Sequence, residues 1–172
     1  NPKAGVFFNK NGWQSYISYA VANKEPNRDD FEASLTNQPE KETLHDVEGG
    51  IEKRTSKFHA GATVYYMVYK DQLVLTGMIN DVGAYTRINV PNSYRAGIEL
   101  QGGYVFTNWL NAVANLSLSR NKVRSFTEYL DNYDANWEWT GQVAVEHKKS
   151  DIAFSPSVVG AATLNILQKK NM

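Results

Sequence analysis

The stretch "TEYLDNYDANWEWTG" carries Tyr129, Tyr133, Trp137 and Trp139 interleaved with Asp131, Asp134 and Glu138, and no other part of the chain is as dense in ring faces and carboxylates. Aromatic faces beside carboxylates suit sugars or cationic edges better than a bare anionic chelate. The same two tryptophans could equally pack neighbouring loops on one another. Arg28 and Arg87 would suit carboxylates or phosphates, against the ordinary alternative of solvated loop arginines. Catalytic patterns are missing. The histidines, His45, His59 and His147, are scattered without the i, i+4 or short-spaced partners of a zinc site. His45 beside Asp46 has its neighbour on the opposite face if the segment is a strand. There is no nucleophile elbow, phosphate loop or dinucleotide fingerprint, since "GIELQGG" has no helix after it. With no cysteine, disulfides and thiolate sites are excluded. No triad can be assembled from these histidines, so a lipase or protease is disfavoured, and neither an enzyme nor a resident cofactor is expected.

The elements that would carry these residues read as strands throughout. "SYRAGIELQGGYV" sends Tyr94, Ala96, Ile98, Leu100 and Tyr104 to one face and Arg95, Glu99 and Gln101 to the other. Seven such segments recur: Lys3 to Asn9, Trp13 to Ala22, Thr43 to Arg54, Phe58 to Thr76, Ala84 to Val105, Trp109 to Phe126 and Ile152 to Leu167. The class is all-β. Net charge is +0, which gives no electrostatic reason to expect nucleic acid. Mean hydropathy is −0.49 and no apolar run is long enough for a membrane-crossing helix. A barrel is untouched by that test, because its strands give only the weaker alternating signal.

Alternation alone does not say which face is inside. A soluble sandwich turns the apolar face inward; a membrane barrel turns it outward. Three features favour the barrel. Short turns ("NKNG", "RTSK", "FTN", "QKKN") alternate with long polar connections (Asn23 to Glu42, Gly77 to Gly83, Thr127 to Asp151), which sorts the loops by length to opposite ends of one meander. Trp13, Phe58, Tyr104 and Trp109 lie next to short turns, while Tyr19, Tyr66 and Tyr94 sit farther along the same apolar face, as two interfacial belts would. Finally, "LNAVANLSLSR" offers mostly small residues, too little bulk to interdigitate in a packed interior. The expectation is therefore that Ala96, Ile98, Leu100, Leu110, Ala112, Ala114, Leu116 and Leu118 face lipid. Arg95, Glu99, Gln101, Asn111, Asn115 and Ser117 should face a polar lumen.

The segments "NPKAGVFF", "WQSYISYAVANKEPNRDDF", "VEGGIE", "VYYMVYKDQLVLTGMINDVGAYTRINV", "SYRAGIEL", "LSLSRNKVRSFTEYLDNYD" and "DIAFSP" together resemble the C-terminal half of the β-barrel of TonB-dependent outer-membrane receptors, in a form associated with Bacteroides-like bacteria. The resemblance covers essentially the whole chain, 1–172, as one partial barrel domain. It implies a 22-stranded barrel in the Gram-negative outer membrane, and lipid as a partner of the apolar face. It also implies a plug domain, outside this sequence, through which the energy-coupling protein TonB would act. The ligand would be a scarce small molecule such as a ferric siderophore, haem, cobalamin or a glycan. The seven strands would be the fourteenth to the twentieth, with "NWEWTGQVAVEHK" in an extracellular loop although its alternation could pass for an eighth strand. The long loops carry the candidate ligand contacts Arg28, Arg87, Tyr129, Tyr133, Trp137 and Trp139. The competing expectation is a soluble β-rich module that binds carbohydrate through Trp137 and Trp139.

Overall fold

The computed structural model describes residues 1–32, 38–79 and 85–167. Its strands are β1 (Lys3–Lys10), β2 (Trp13–Lys24), β3 (Glu42–Arg54), β4 (Phe58–Ile79), β5 (Tyr85–Thr107), β6 (Leu110–Tyr133), β7 (Trp139–Asp151) and β8 (Val158–Ile166), with one short helix, α1 (Arg28–Glu32). The strands form a single antiparallel sheet in sequence order from β1 to β7, and β8 pairs β6. The turn expected at Gln168 to Asn171 and the loop tip from Asn80 to Gly83 lie outside the described residues.

The short turns follow from their residues. Asn11 and Gly12 form the two-residue β1–β2 connection with φ of 52° and 76°, the left-handed pair that an Asn-Gly hairpin requires. At the β3–β4 turn the Thr55 hydroxyl accepts the N–H groups of Lys57 and Phe58, at 3.3 and 3.0 Å. The β5–β6 turn is Asn108-Trp109, slightly later than its expected place because β5 runs on to Thr107. All three lie at one end of the sheet.

The strand count is eight rather than about seven, and the reason lies in the last long connection. β6 has 24 residues, more than twice what is needed to cross a membrane. Its lower part, Leu110 to Leu118, pairs β8, while its upper part, Lys122 to Tyr133, pairs β7. β7 and β8 therefore run in the same direction along one edge of β6, as a single strand interrupted at residues 152–157. Backbone bonds continue across the break, from Ile152 N–H to the Asn121 carbonyl at 3.1 Å and from Ser119 N–H to the Ser157 carbonyl at 2.8 Å. The segment "WTGQVAVEHKKSD" is thus the returning strand of a tall hairpin rather than irregular loop. The alternation of short and long ends is preserved.

Cross-strand register places the alternating residues in unbroken rows. One row runs Val6, Ile17, Gly49, Val64, Ile98, Leu118, Val158; the next on the other face runs Phe7, Tyr16, Gly50, Thr63, Glu99, Ser117, Val159. The apolar row is open to its surroundings, with Val6 at 71%, Ile17 at 60% and Val64 at 54% exposure. No second layer of the described chain covers it.

Curvature is readable from the glycines. On the polar face a Cβ at Gly50 would fall 2.4 Å from the Tyr16 ring, and one at Gly103 would fall 2.4 Å from the His59 ring. On the apolar face Gly49 and Gly102 would meet only backbone oxygen, at 3.6 Å. Side chains that converge mark the concave side of a bent sheet, so the polar face is the hollow one.

Energetics agree with an open wall. Only Leu73, Val90, Val123 and Ile152 are buried hydrophobic residues among those described. The accessible surface is 12512 Å², whereas a compact 19.4 kDa monomer would expose about 8,500 Å². The apolar face is part of the missing burial, and a soluble sandwich would have hidden it. No helix among the described residues is long and apolar enough to cross a membrane, which bears on helices alone.

Candidate functional site

The candidate loop residues fall into two groups at the long-connection end. The first is the β6–β7 hairpin. The Asp134 carboxylate accepts the N–H groups of Asn136 at 2.8 Å and Glu138 at 2.9 Å, which ties the turn into a closed loop. Trp137 N–H bonds the Asp134 carbonyl at 3.0 Å, with Trp137 at φ 63° and 84% exposed. A bulky residue in this left-handed region is an outlier that its surroundings must hold.

Below the tip Tyr133 stands opposite Trp139. The Trp139 indole N–H donates to Asp131 Oδ1 at 3.2 Å, and the Gln142 amide donates both to the same oxygen at 3.0 Å and to the Gly77 carbonyl at 2.9 Å. Gly77 has φ 82°, and a Cβ there would lie 2.4 Å from the Tyr129 carbonyl, so only glycine lets β4 come this close to β6. Gln142 and Gly77 thus lock the upper part of β4 to the β6–β7 hairpin. Tyr129, Tyr133, Trp137 and Trp139 are brought together on that locked unit. Gln142 was not legible as a functional position, since its segment reads as loop and the Gln itself is unremarkable in type.

The second group surrounds α1. Asn27 and Asp30 form a reciprocal capping box, each side chain accepting the other's backbone N–H at 2.9 Å. Arg87 reaches Asp30 Oδ2 at 3.7 Å, and Asp30 is 5% exposed. Arg87 therefore anchors the helix against β5, and Arg28 opens that same helix. The Asp30 ion pair places Arg87 with α1 rather than with the aromatic hairpin.

The concave wall supplies a third set, of which Arg95 and Glu99 were expected to face the lumen. Tyr16, Glu48, Tyr65, Arg95 and Glu99, with the crossover residue Phe154, line a hollow of about 450 Å³. Asp46 and Arg95 lie in one register row, on either side of Met67. A carboxylate oxygen of Asp46 and the Nε of Arg95 are buried without a hydrogen-bond partner among the described residues. Such groups are costly to leave unpaired.

The histidines have separate roles. His45 Nδ1 meets the Tyr19 hydroxyl at 2.8 Å, and His147 Nε2 meets Glu128 Oε2 at 2.7 Å while its ring stacks on Phe126. Among the described residues no three His, Asp or Glu side chains converge as a metal centre would require.

Comparison with known proteins now bears on this geometry. The FrpB iron transporter from Neisseria meningitidis (F3-3 variant) superposes with a TM-score of 0.58 at 21% identity, covering 72% of this chain and 19% of that one. The copper transporter OprC superposes with a TM-score of 0.56 at 16% identity, covering 70% of this chain and 20% of that one. The chain thus spans about a fifth of the length of these transporters, and at such identities the likeness shows the fold alone. No curated protein sequence matches significantly. The family model for the TonB-dependent receptor-like β-barrel matches residues 1–162, and the chain belongs to that family.

Proposed function

We propose that this chain forms part of the wall and outer mouth of an outer-membrane uptake receptor driven by TonB. The observation that carries the reading is the pair of faces: an apolar convex surface that no other part of the described chain covers, backed by a polar hollow. Lipid would cover the first, and a plug domain would fill the second. The orphaned Asp46 oxygen and Arg95 N–H are ready partners for polar groups of such a plug or of a passing ligand.

Ligand capture falls to the long-loop end, where the β6–β7 hairpin holds Trp137 and Trp139 on a fixed base. Arg87, being engaged with Asp30, is a positioning residue for α1 in this reading. The similar folds named for iron and copper transport make a metal-bearing nutrient, such as a ferric siderophore, haem or cobalamin, the ligand class to test first. The receptor would hold such a ligand transiently as cargo.

The test uses the complete receptor in outer-membrane vesicles. Uptake of radiolabelled ferric siderophore, haem and cobalamin is measured with and without the energy-coupling protein. Energy-dependent uptake of at least one supports the reading. A receptor found in the soluble fraction, or transport that ignores the coupling protein, would overturn it.

A further inference from the structure

The apolar convex face ends, at the long-loop side, in a basic groove. Tyr66, Ala96 and Arg120 share one register row, and Val68, Tyr94 and Lys122 share the next. With Arg124 and Lys149, these rows border a groove of about 510 Å³. The two tyrosine rings lie 6.2 Å apart along its floor. Four cations thus line the groove, and one carboxylate answers them: Asp151 holds Lys122 at 2.7 Å. Among the described residues no acid lies within ion-pair distance of Arg120, Arg124 or Lys149.

Position gives the cluster its meaning. It continues the same face that, one row lower, is Val64, Ile98 and Leu118. Ten residues separate Tyr94 from Tyr104 on β5, a rise of about 25 Å for a tilted strand, which matches an apolar band with an aromatic row at each border. The groove therefore sits where acyl chains give way to headgroups. It lies over β4, β5 and β6 and reaches β7, the edge strand at this height, through Lys149, so Tyr66, Tyr94, Arg120, Lys122 and Arg124 stay open when a further strand pairs with β7. At the opposite border the same face presents Lys53 stacked over Trp13 at 5.0 Å, with no comparable groove.

We propose that this groove binds the phosphate of an anionic lipid headgroup in the leaflet on the long-loop side. Arg120 and Arg124 offer the planar forks that grip phosphate oxygens. Tyr66 and Tyr94 offer flat, amphipathic walls to the start of the acyl chains. The inference rests on the membrane reading above, and the experiment separates the two.

The complete receptor is reconstituted into phosphatidylcholine vesicles doped with phosphatidic acid or lipid A, and insertion is scored by protease protection. Lipid retained after detergent extraction is then counted by native mass spectrometry. Wild type should keep the phosphate-bearing lipid. Arg120→Gln/Arg124→Gln/Lys149→Gln should hold it about a hundredfold more weakly, since each surface cation contributes roughly a factor of five near an anionic membrane. Lys10→Gln/Lys53→Gln, at the other border, should behave as wild type. Arg120→Lys/Arg124→Lys keeps the charge and should retain most of the lipid, so a loss specific to the Gln variant is not misfolding. Inorganic phosphate added alone should not displace the lipid. Displacement by phosphate would assign the groove to a free anion and overturn the lipid assignment. Equal retention by wild type and the Gln variant, with normal insertion, would reduce the cluster to solvated cations and overturn the groove alone. Failure to insert would overturn the membrane reading, and the groove with it.

Discussion

Below the upper aromatic row the sheet obeys one rule, and above it the rule lapses. Between Trp13, Phe58 and Tyr104 at one border and Tyr19, Tyr66 and Tyr94 at the other, the paired strands keep a strict two-residue period. At or above that second border, Asp71 (φ 55°), Gly77 (82°), Trp137 (63°), Lys149 (56°) and Phe154 (56°) all adopt left-handed backbone. At the short-turn end only the hairpin pair Asn11 and Gly12 does so among the described residues. A sheet with lipid on one side and a polar hollow on the other cannot slip by one residue without inverting every side chain. The upper strands instead carry the buried cluster Val90, Val123 and Ile152, with Val74 and Phe126 packed against it. Local bonds such as Gln142 to Gly77 then decide the backbone, and facing becomes negotiable.

The sharpest way to break this contrast is an arginine at adjacent positions in the regular zone. Leu116→Arg places a charge on the convex face at mid-band and should cost about 2–4 kcal/mol, while Ser117→Arg faces the polar hollow and should cost little. Reversible unfolding of the complete barrel in lipid measures both. Equal costs would mean that the face was not selected by hydrocarbon. A glycine pair gives a second, smaller contrast. A Cβ at Gly97 would lie 2.5 Å from the Tyr65 hydroxyl and 2.7 Å from the Leu118 carbonyl, while one at Gly102 finds only the His59 carbonyl at 3.6 Å. Gly97→Ala should therefore destabilise by about 1–3 kcal/mol and Gly102→Ala by much less, since the crowded concave side has no room to relax.

That same division set what could be read from the residues. The face of "SYRAGIELQGGYV" and its partners was legible because water and hydrocarbon impose a period that a sequence can display. The all-β class, the meander and the sorting of turns followed from the same signal and from Asn11-Gly12. The upper hairpin was legible only in part. "GQVAVEHK" alternates, but its polar residues and the missing turn signature made it resemble loop, and nothing in the local pattern shows that β7 and β8 lie end to end on β6. The binding candidates divide likewise. Tyr129, Tyr133, Trp137 and Trp139 share one hairpin because they are neighbours in sequence. Arg87 could not be recognised as the anchor of Asp30, because that contact depends on a helix only five residues long.

In the irregular zone the expected effects are smaller and local. Gln142→Leu removes the donor to Gly77 and Asp131 together, and each lost bond is worth about 1 kcal/mol. Amide exchange in residues 77–79 and 129–142 should accelerate several-fold, while β2 and β3 keep their protection. If exchange rises throughout the sheet instead, the hairpin lock is part of the global fold and the contrast between zones is wrong.

Trp137 gives the smallest expected stability effect and the most direct link to ligand. Its ring is 84% exposed, so it contributes almost no burial, and its φ of 63° carries a steric cost of roughly 1–2 kcal/mol for a residue with a Cβ. The Asp134 turn imposes that conformation whatever side chain sits there. Trp137→Gly should therefore leave the hairpin as stable or make it slightly more stable, because glycine enters the left-handed region freely. Trp137→Ala should be near neutral, since it keeps the steric cost and loses only an exposed ring. If the ring is there to meet cargo, both variants should lower uptake of ferric siderophore, haem or cobalamin by a similar factor despite their different effects on the turn. Uptake that follows hairpin stability, or does not change at all, would show that Trp137 is a structural by-product of the Asp134 turn, and the ligand contact would have to be sought at Trp139 or on the concave wall.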